Sequence, residues 1–270
     1  MHVFGCPVGI RHVHHILRDQ VLRFLSIFSN RQRGGVHFVY FSCARDFELI
    51  SYSLKSLRCL PSDLVKSVLI VMDAKAPFSS EQQAMLKQHC AVCRFENLGN
   101  IDWASLDTLK TEIRAFAVAA AEASENDWVA KIDSDVLFFG HQKIKEIATC
   151  AFDFVGDGHY SDYSYAQGGL YFLRTPLARS LTSSVSEQEL LNTISDLGKN
   201  SEDRVMSSLV RRRTENRWLT RIMLFPDELK KADFSGSWLR KEFCCIHFVK
   251  GKEQMKDYAM KLECRYEPGG

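Results

Sequence analysis

The chain has no apolar run long enough to cross a bilayer as a helix, which takes about 20 residues. Its first residues have no secretory layout, because Arg11, His12, His14 and His15 interrupt any apolar stretch. It also lacks a charge excess. Thirty-five Lys and Arg stand against 33 Asp and Glu, a net +2, which excludes a nucleic-acid-binding polycation. No basic stripe is interleaved with aromatics, so nucleic acid is not expected as a partner. Zinc chemistry is incomplete: Cys90-Ala-Val-Cys93 has no second half, and Cys6 with His12, His14 and His15 makes no convincing set. The nine cysteines therefore read as reduced, mostly buried thiols of a cytoplasmic protein.

What is present is 270 residues, 46% of them hydrophobic, enough for one sizeable core. Residues 1–35 read as a helical leader and 36–270 as the domain. Within the leader, Val13, Leu17, Val21, Leu22, Leu25 and Phe28 recur near helical spacing. Arg11, Arg18, Arg23, Arg31 and Arg33 stand there against Asp19 alone. A helix packed on the domain with a solvated basic face is the plainer reading; the alternative is peripheral contact with an anionic membrane.

From residue 36 strands and helices alternate. Val36–Ser42 and Val65–Met72 read as strands, Ala91–Phe95 as a short one, and the stretch from Trp128 as another. Helices are expected over Glu48–Leu60, Ser79–His89, Asp107–Ala123 and Lys143–Thr149. Several of these strands are apolar throughout. That pattern predicts an α/β fold with a mostly parallel central sheet and helices on both faces. Ligands of such sheets sit at the carboxyl ends of the strands, which places the Ser42–Asp46 loop, Asp73 and residues 133–135 along one edge.

The most informative stretch is Trp128-Val-Ala-Lys-Ile-Asp-Ser-Asp-Val-Leu-Phe-Phe139. An apolar run carries two carboxylates, Asp133 and Asp135, which avoid such a setting unless something pairs them. A divalent cation with oxygen ligands, its shell completed by a diphosphate, is one good partner. Beyond it, Phe152–Gly156 reads as a strand and Asp157–Tyr165 as a polar, aromatic loop that could hold a ligand ring. Gln167-Gly168-Gly169 reads as a turn running into a strand. Ser201 precedes a helix with Glu202 and Asp203 in its first turn, either as dipole partners or with one carboxylate turned into a pocket as a base. Arg211–Arg213, Arg217 and Arg221 form a basic patch facing solvent, phosphates or a membrane. Arg221–Phe225 reads as a strand, and Phe243–Val249 is an apolar run carrying His247, followed by Lys250-Gly-Lys252.

Four elements thus stand in order: Asp133-x-Asp135 after a strand, Gln167-Gly-Gly before one, Ser201-Glu-Asp203 opening a helix, and His247 near the end. This order resembles nucleotide-sugar glycosyltransferases of the GT-A fold, a Rossmann-like single domain, and most of all the inverting fringe and β-1,3-galactosyltransferase type. The stretch His247–Lys252 is also similar to the His-x-x-Gly-x-x-Lys ending of retaining enzymes such as glycogenin, although the glycine comes one residue late and no Lys-Pro-Trp follows. The resemblance covers about residues 36–252 as a pattern of short motifs.

It implies a hexosyltransferase that moves a sugar from a nucleotide-sugar donor, a UDP-sugar in the family, to a glycan, glycolipid or protein acceptor. Asp135 and His247 would ligate Mn2+ or Mg2+, with Asp133 at the ion, a bound water or the ribose. Ser42, Arg45, Asp46, Asp73 and Arg114 would hold the nucleotide, with Lys250 and Lys252 near its phosphates. Gln167, Gly168 and Gly169 would line the sugar and acceptor. Asp203 would be the catalytic base of an inverting reaction, and Glu202 the second choice. Two rivals remain: a haloacid-dehalogenase-like phosphatase, whose nucleophile would be the first Asp of the pair, and a non-catalytic domain binding a nucleotide or glycan.

Overall fold

The structure is a computed structural model. It describes residues 2–3, 6–7, 21, 33–102, 105–159, 162–197, 201–229, 241–249 and 251–263. Most of the leader, with its basic amphipathic pattern, lies outside these residues, as does Lys250.

The first half follows the alternation expected of it. Strand β1 (Val36–Ser42) leads to α1 (Phe47–Ser56), β2 (Val65–Asp73), α2 (Ser80–His89), β3 (Cys93–Gly99), α3 (Leu106–Glu122) and β4 (Trp128–Asp133). Ser79 starts α2 with a reciprocal capping box to Gln82, and Ser105 caps α3 through the Thr108 amide. The second half adds β5 (Leu137–Phe138), α4 (Gln142–Thr149), β6 (Phe154–His159), β7 (Asp162–Arg174), α5 (Thr175–Ser184), α6 (Glu187–Leu197), α7 (Glu202–Arg213) and β8 (Arg217–Thr220). Two short strands, β9 (Met223–Leu224) and β10 (Cys245–Ile246), and helix α8 (Lys252–Glu263) follow.

Seven strands form the central sheet in the order β3-β2-β1-β4-β7-β6-β8. Only β7 runs against the rest of this sheet. Side chains alternate across it, as the two-residue period of a strand requires. Phe38, Tyr40, Trp128, Ala130 and Ile132 face one apolar core with Ile50 and Leu54 of α1. Val39 and Val129 face the other, with Phe116 of α3 and Leu209 of α7. The parallel strands β1, β2 and β4 end at Ser42, Asp73 and Asp133, so their carboxyl ends form one edge, as expected.

Several expectations are corrected. The third strand begins at Cys93 and runs to Gly99, past the span read from its apolar residues. The described residues of the expected loop at 157–165 are strand: Asp157–His159 completes β6, and β7 starts at Asp162, while residues 160–161 lie outside the described residues. The Gly-Gly pair lies inside β7, not in a turn before it. Gly156 pairs with Tyr171 and Gly158 with Ala166, so β6 advances two residues while β7 advances five. Gln167, Gly168 and Gly169 occupy that bulge, a device that re-aims a strand beside a site. The basic patch is largely self-paired. Arg213 contacts Glu189 at 2.9 Å, Arg212 contacts Asp196 at 3.4 Å and Arg221 contacts Glu228 at 2.7 Å. Arg217 opens β8, the edge strand of the main sheet, which the sequence did not reveal.

The expected strand at Arg221–Phe225 shortens to β9, which belongs to a second sheet of order β9-β10-β5. This small sheet is tied to the large one by Asp157. Its buried carboxylate accepts the amides of Ile222 at 2.8 Å and Met223 at 2.7 Å and lies 3.7 Å from Arg221. Two buried N–H groups thus depend on one side chain. Asp157→Ala is expected to cost about 2–6 kcal/mol, since each of the two orphaned amides costs about 1–3. Urea unfolding checks this, with Asp157→Asn, which keeps one acceptor oxygen, falling in between.

Candidate active site

The edge formed by β1, β2 and β4 opens into a cavity of ≈ 610 Å³. Ser42, Arg45, Asp46 and Asp73 line one part of it, Asp133, Asp135 and His247 another, and Gln167, Gly168, Gly169, Glu202 and Asp203 a third. Most of the residues singled out in the sequence therefore meet at one place. Two do not line it. Arg114 is exposed on α3 and donates to the Leu98 carbonyl at 3.1 Å. Lys252 pairs with Glu48 at 3.1 Å.

His247 reaches the acids because β10 lies parallel to β9, and its amide donates to the Leu224 carbonyl at 2.9 Å. Its Nε2 is 3.4 Å from Asp133 and 3.3 Å from Asp135. One ligand atom from each of the three residues falls within 4.8 Å of the others. Asp135 and His247 are buried, and neither His247 nitrogen has a hydrogen-bond partner. Two carboxylates and an imidazole aimed at one point fit a divalent cation. Burial alone would lower the His247 pKa. Contacts with Asp133 and Asp135 outweigh it and raise it to about 9. The next residue, Phe248, has φ +69°, an uncommon left-handed conformation for a bulky side chain. That turn lets His247 point inward while Phe248 sits 40% exposed at the cavity.

The two glycines of the bulge are explained by what lies against them. A Cβ on Gly169 would fall 2.3 Å from the His247 ring, and one on Gly168 2.0 Å from Asp203 Oδ1. Only glycine permits both approaches. Asp203 is turned towards Gly168, whose amide it accepts, instead of serving as a solvated dipole partner of α7. Ser201, at the N-cap, makes no side-chain cap bond. Burial, more than any neighbour, raises the Asp203 carboxyl to about 6; Lys131 opposes the rise and Glu202 adds to it.

Two residues of the site went unread in the sequence. Lys131 sits on β4 two residues before Asp133 and therefore on the same face. Its buried ammonium contacts Asp133 Oδ1 at 2.7 Å, Glu202 Oε1 at 3.2 Å and the Gly168 carbonyl. Glu112 of α3 is buried, lines the cavity and accepts a hydrogen bond from the Tyr171 hydroxyl. Burial and the charge of Glu202 push its pKa well up. A signal for Lys131 is present: it is the one charged residue of this strand before Asp133, among Trp128, Val129, Ala130 and Ile132.

No family model matches the chain, and no curated protein matches it by sequence. Solved structures do. Galactosyltransferase LgtC in complex with donor and acceptor sugar analogues aligns over 83% of this chain and 95% of its own, with TM-score 0.54 and 12% identity. An active-site mutant of LgtC gives TM-score 0.56 at 9% identity over the same shares. The glycosyltransferase GlyE of Streptococcus pneumoniae aligns over 86% of this chain and 61% of its own, with TM-score 0.52 and 11% identity. The fold is GT-A. At such identities the likeness carries the GT-A fold and no residue roles. It also removes the fold-level ground for the phosphatase alternative.

Two outcomes are expected for the Asp133, Asp135 and His247 cluster. Gly169→Ala, by displacing the His247 ring, is expected to weaken Mn2+ binding at least tenfold in calorimetry while the circular dichroism spectrum stays unchanged. Mn2+ binding is also expected to strengthen by about tenfold per pH unit from 6 towards 9, because the ion must displace a proton that His247 holds up to about pH 9. In the metal-free protein the same raised pKa stabilises the fold fully below the unfolded value near 6.5. That contribution is lost as pH rises through 9.

Proposed function

We propose that this protein is a metal-dependent glycosyltransferase that moves a sugar from a nucleotide-sugar donor to a hydroxyl acceptor. One observation carries the proposal: the Asp133, Asp135 and His247 cluster shares a cavity with Asp203, a carboxylate whose pKa lies near neutrality. Breaking a sugar–nucleotide bond leaves a diphosphate whose charge grows in the transition state. A cation held by the three ligands supplies Lewis-acid stabilisation of that leaving group. A mixed oxygen and imidazole set suits Mn2+ better than Mg2+.

The remaining roles fall to this chain's own residues. Ser42, Arg45, Asp46 and Asp73 line the same cavity as the proposed metal ligands and are the candidates to hold the base and ribose of a nucleotide. Asp73 is itself held by the Lys75 amide at 3.0 Å. Arg45 and Lys250 are the candidate phosphate partners. The bulge at Gln167–Gly169 brings backbone close to the sugar and acceptor. Asp203 takes the proton from the acceptor hydroxyl as it attacks the anomeric carbon from the face opposite the leaving group, which inverts the configuration. A carboxylate with pKa near 6 is mostly ionised at pH 7 and still basic enough to accept that proton. The acceptor is a glycan, glycolipid or protein hydroxyl. Among the described residues no helix is long and apolar enough to cross a membrane.

The test begins with calorimetry of UDP, GDP and CMP, with and without Mn2+, on the wild type and Asp135→Ala. Mn2+-dependent binding of one nucleotide, lost in the variant, is expected; no binding under any condition overturns the proposal. With the matching donor, Asp203→Asn is expected to lower kcat by about 10²–10⁴, the usual contribution of a general base. Nucleotide affinity should change far less. Proton NMR of the first-formed product reads its anomeric configuration: inversion supports Asp203 as the base, and retention removes that role.

A further inference from the structure

The helix start offers two carboxylates, Glu202 and Asp203, and a base requires only one. We infer that Lys131 is a positioning residue that decides between them: it ties Glu202 into an ion-pair network at the cavity wall and leaves Asp203 to face the reacting groups. This inference rests on the glycosyltransferase reading of the cavity.

The geometry is specific. Val129, Lys131 and Asp133 share one face of β4, and Val129 lies in the apolar core beneath α3. A lysine at the next core-facing position is costly unless its charge is compensated. The ammonium has three N–H donors. Two bond Asp133 Oδ1 and the Gly168 carbonyl, and the third side faces Glu202 Oε1 at 3.2 Å. Burial works against the Lys131 charge, and Asp133, Glu202 and Glu112, with Asp203 beyond them, hold it protonated. Glu202 also shares a hydrogen bond with Glu112, which takes the Tyr171 hydroxyl on its other side. Glu202 is thus held by β4 through Lys131 and by α3 through Glu112.

Asp203 has different surroundings. It faces Lys131 and Asp133 from β4, the Gly168 amide and Tyr171 from β7, and Glu202 on its own helix. Both acids line the cavity, but the Asp203 side chain is fixed by a backbone amide, whereas Glu202 is tied to Lys131 and Glu112. Lys131 therefore does two things with one fixed charge. It immobilises the competing acid, and it keeps Asp203 ionised at a pH where burial and Glu202 favour its protonation.

The experiment uses the full chain with Mn2+ and measures nucleotide release from UDP-glucose, UDP-galactose and GDP-mannose to water between pH 5 and 9. Lys131→Met is expected to move the acid limb of kcat/KM up by one unit or more. Glu202→Gln is expected to move it down, since a negative neighbour of Asp203 is removed, and to retain at least a tenth of kcat. Asp203→Asn should retain less than a hundredth. A merely structural lysine would lower the rate without moving the limb. Superimposable pH profiles for the wild type, Lys131→Met and Glu202→Gln overturn the inference, as does a larger loss in Glu202→Gln than in Asp203→Asn. If Lys131→Met does not fold, the Glu202→Gln shift and the comparison of the two acid variants decide alone. If no donor is turned over, the glycosyltransferase reading fails separately. A 13C carboxyl NMR titration of Asp203 in wild type and Glu202→Gln then still reports whether the network sets its ionisation.

Discussion

The structure depends on compensation of charge at the carboxyl edge of a buried sheet. Five carboxylates, those of Glu112, Asp133, Asp135, Glu202 and Asp203, line one cavity and are buried or partly so. Uncompensated, such groups cost several kcal/mol each. Two cationic side chains meet that demand from opposite sides. Lys131 rises from inside the sheet to Asp133 and Glu202, and His247 comes from the small sheet to Asp133 and Asp135. Asp133 is common to both. The glycine bulge is the geometric condition for this arrangement, because Gly168 and Gly169 leave the room that Asp203 and His247 occupy.

The small sheet matters for the same reason. His247 is more than a hundred residues from the acid pair in sequence, and the short ladder β9-β10-β5 brings it back to them. β5 follows directly from the acids, so one edge of that ladder is fixed by the strand that carries them. The other edge is fixed by Asp157, which holds the amides of Ile222 and Met223 from the end of β6. Asp157, which does not line the cavity, thereby helps to set the spacing of Asp133, Asp135 and His247.

Legibility in the sequence followed the same physical divisions. Strands with uninterrupted apolar runs, β1, β2 and β4, were read to within a residue or two, because their burial on both faces leaves no alternative. The Asp133, Asp135 and His247 set was reached through the order of motifs and the resemblance it supports; spacing alone could not show that His247 folds back onto the acids. Lys131 was passed over inside its apolar run, although the two-residue period places it beside Asp133. On α3 the resemblance points to Arg114, while the helix turns Glu112 inward and leaves Arg114 exposed. Polarity misled again at Asp157–Tyr165, where Asp157 is inside the protein holding backbone, and at Gly168–Gly169, where glycines mark close approach within a strand instead of a turn. In each case the missing information was a long-range partner, which local pattern does not contain.

The charge balance also bears on the order of events at the site. Besides the five acids, Asp46, Asp73 and Asp102 line the cavity, against Arg45, Lys131 and His247 as the cationic side chains among its described lining residues. Lys131 is committed to Asp133 and Glu202, and His247 would have to give up its proton to hold an ion. A diphosphate approaching the cavity before a cation would therefore meet net negative charge, and desolvation would strengthen the repulsion. A cation held by Asp133, Asp135 and His247 would, on the proposed reading, offset that negative charge beside the phosphates. On the proposed reading, the acids that make the cavity inhospitable to a free nucleotide are the same groups that make metal and donor bind together. Metal and donor would thus be coupled ligands, each weak alone.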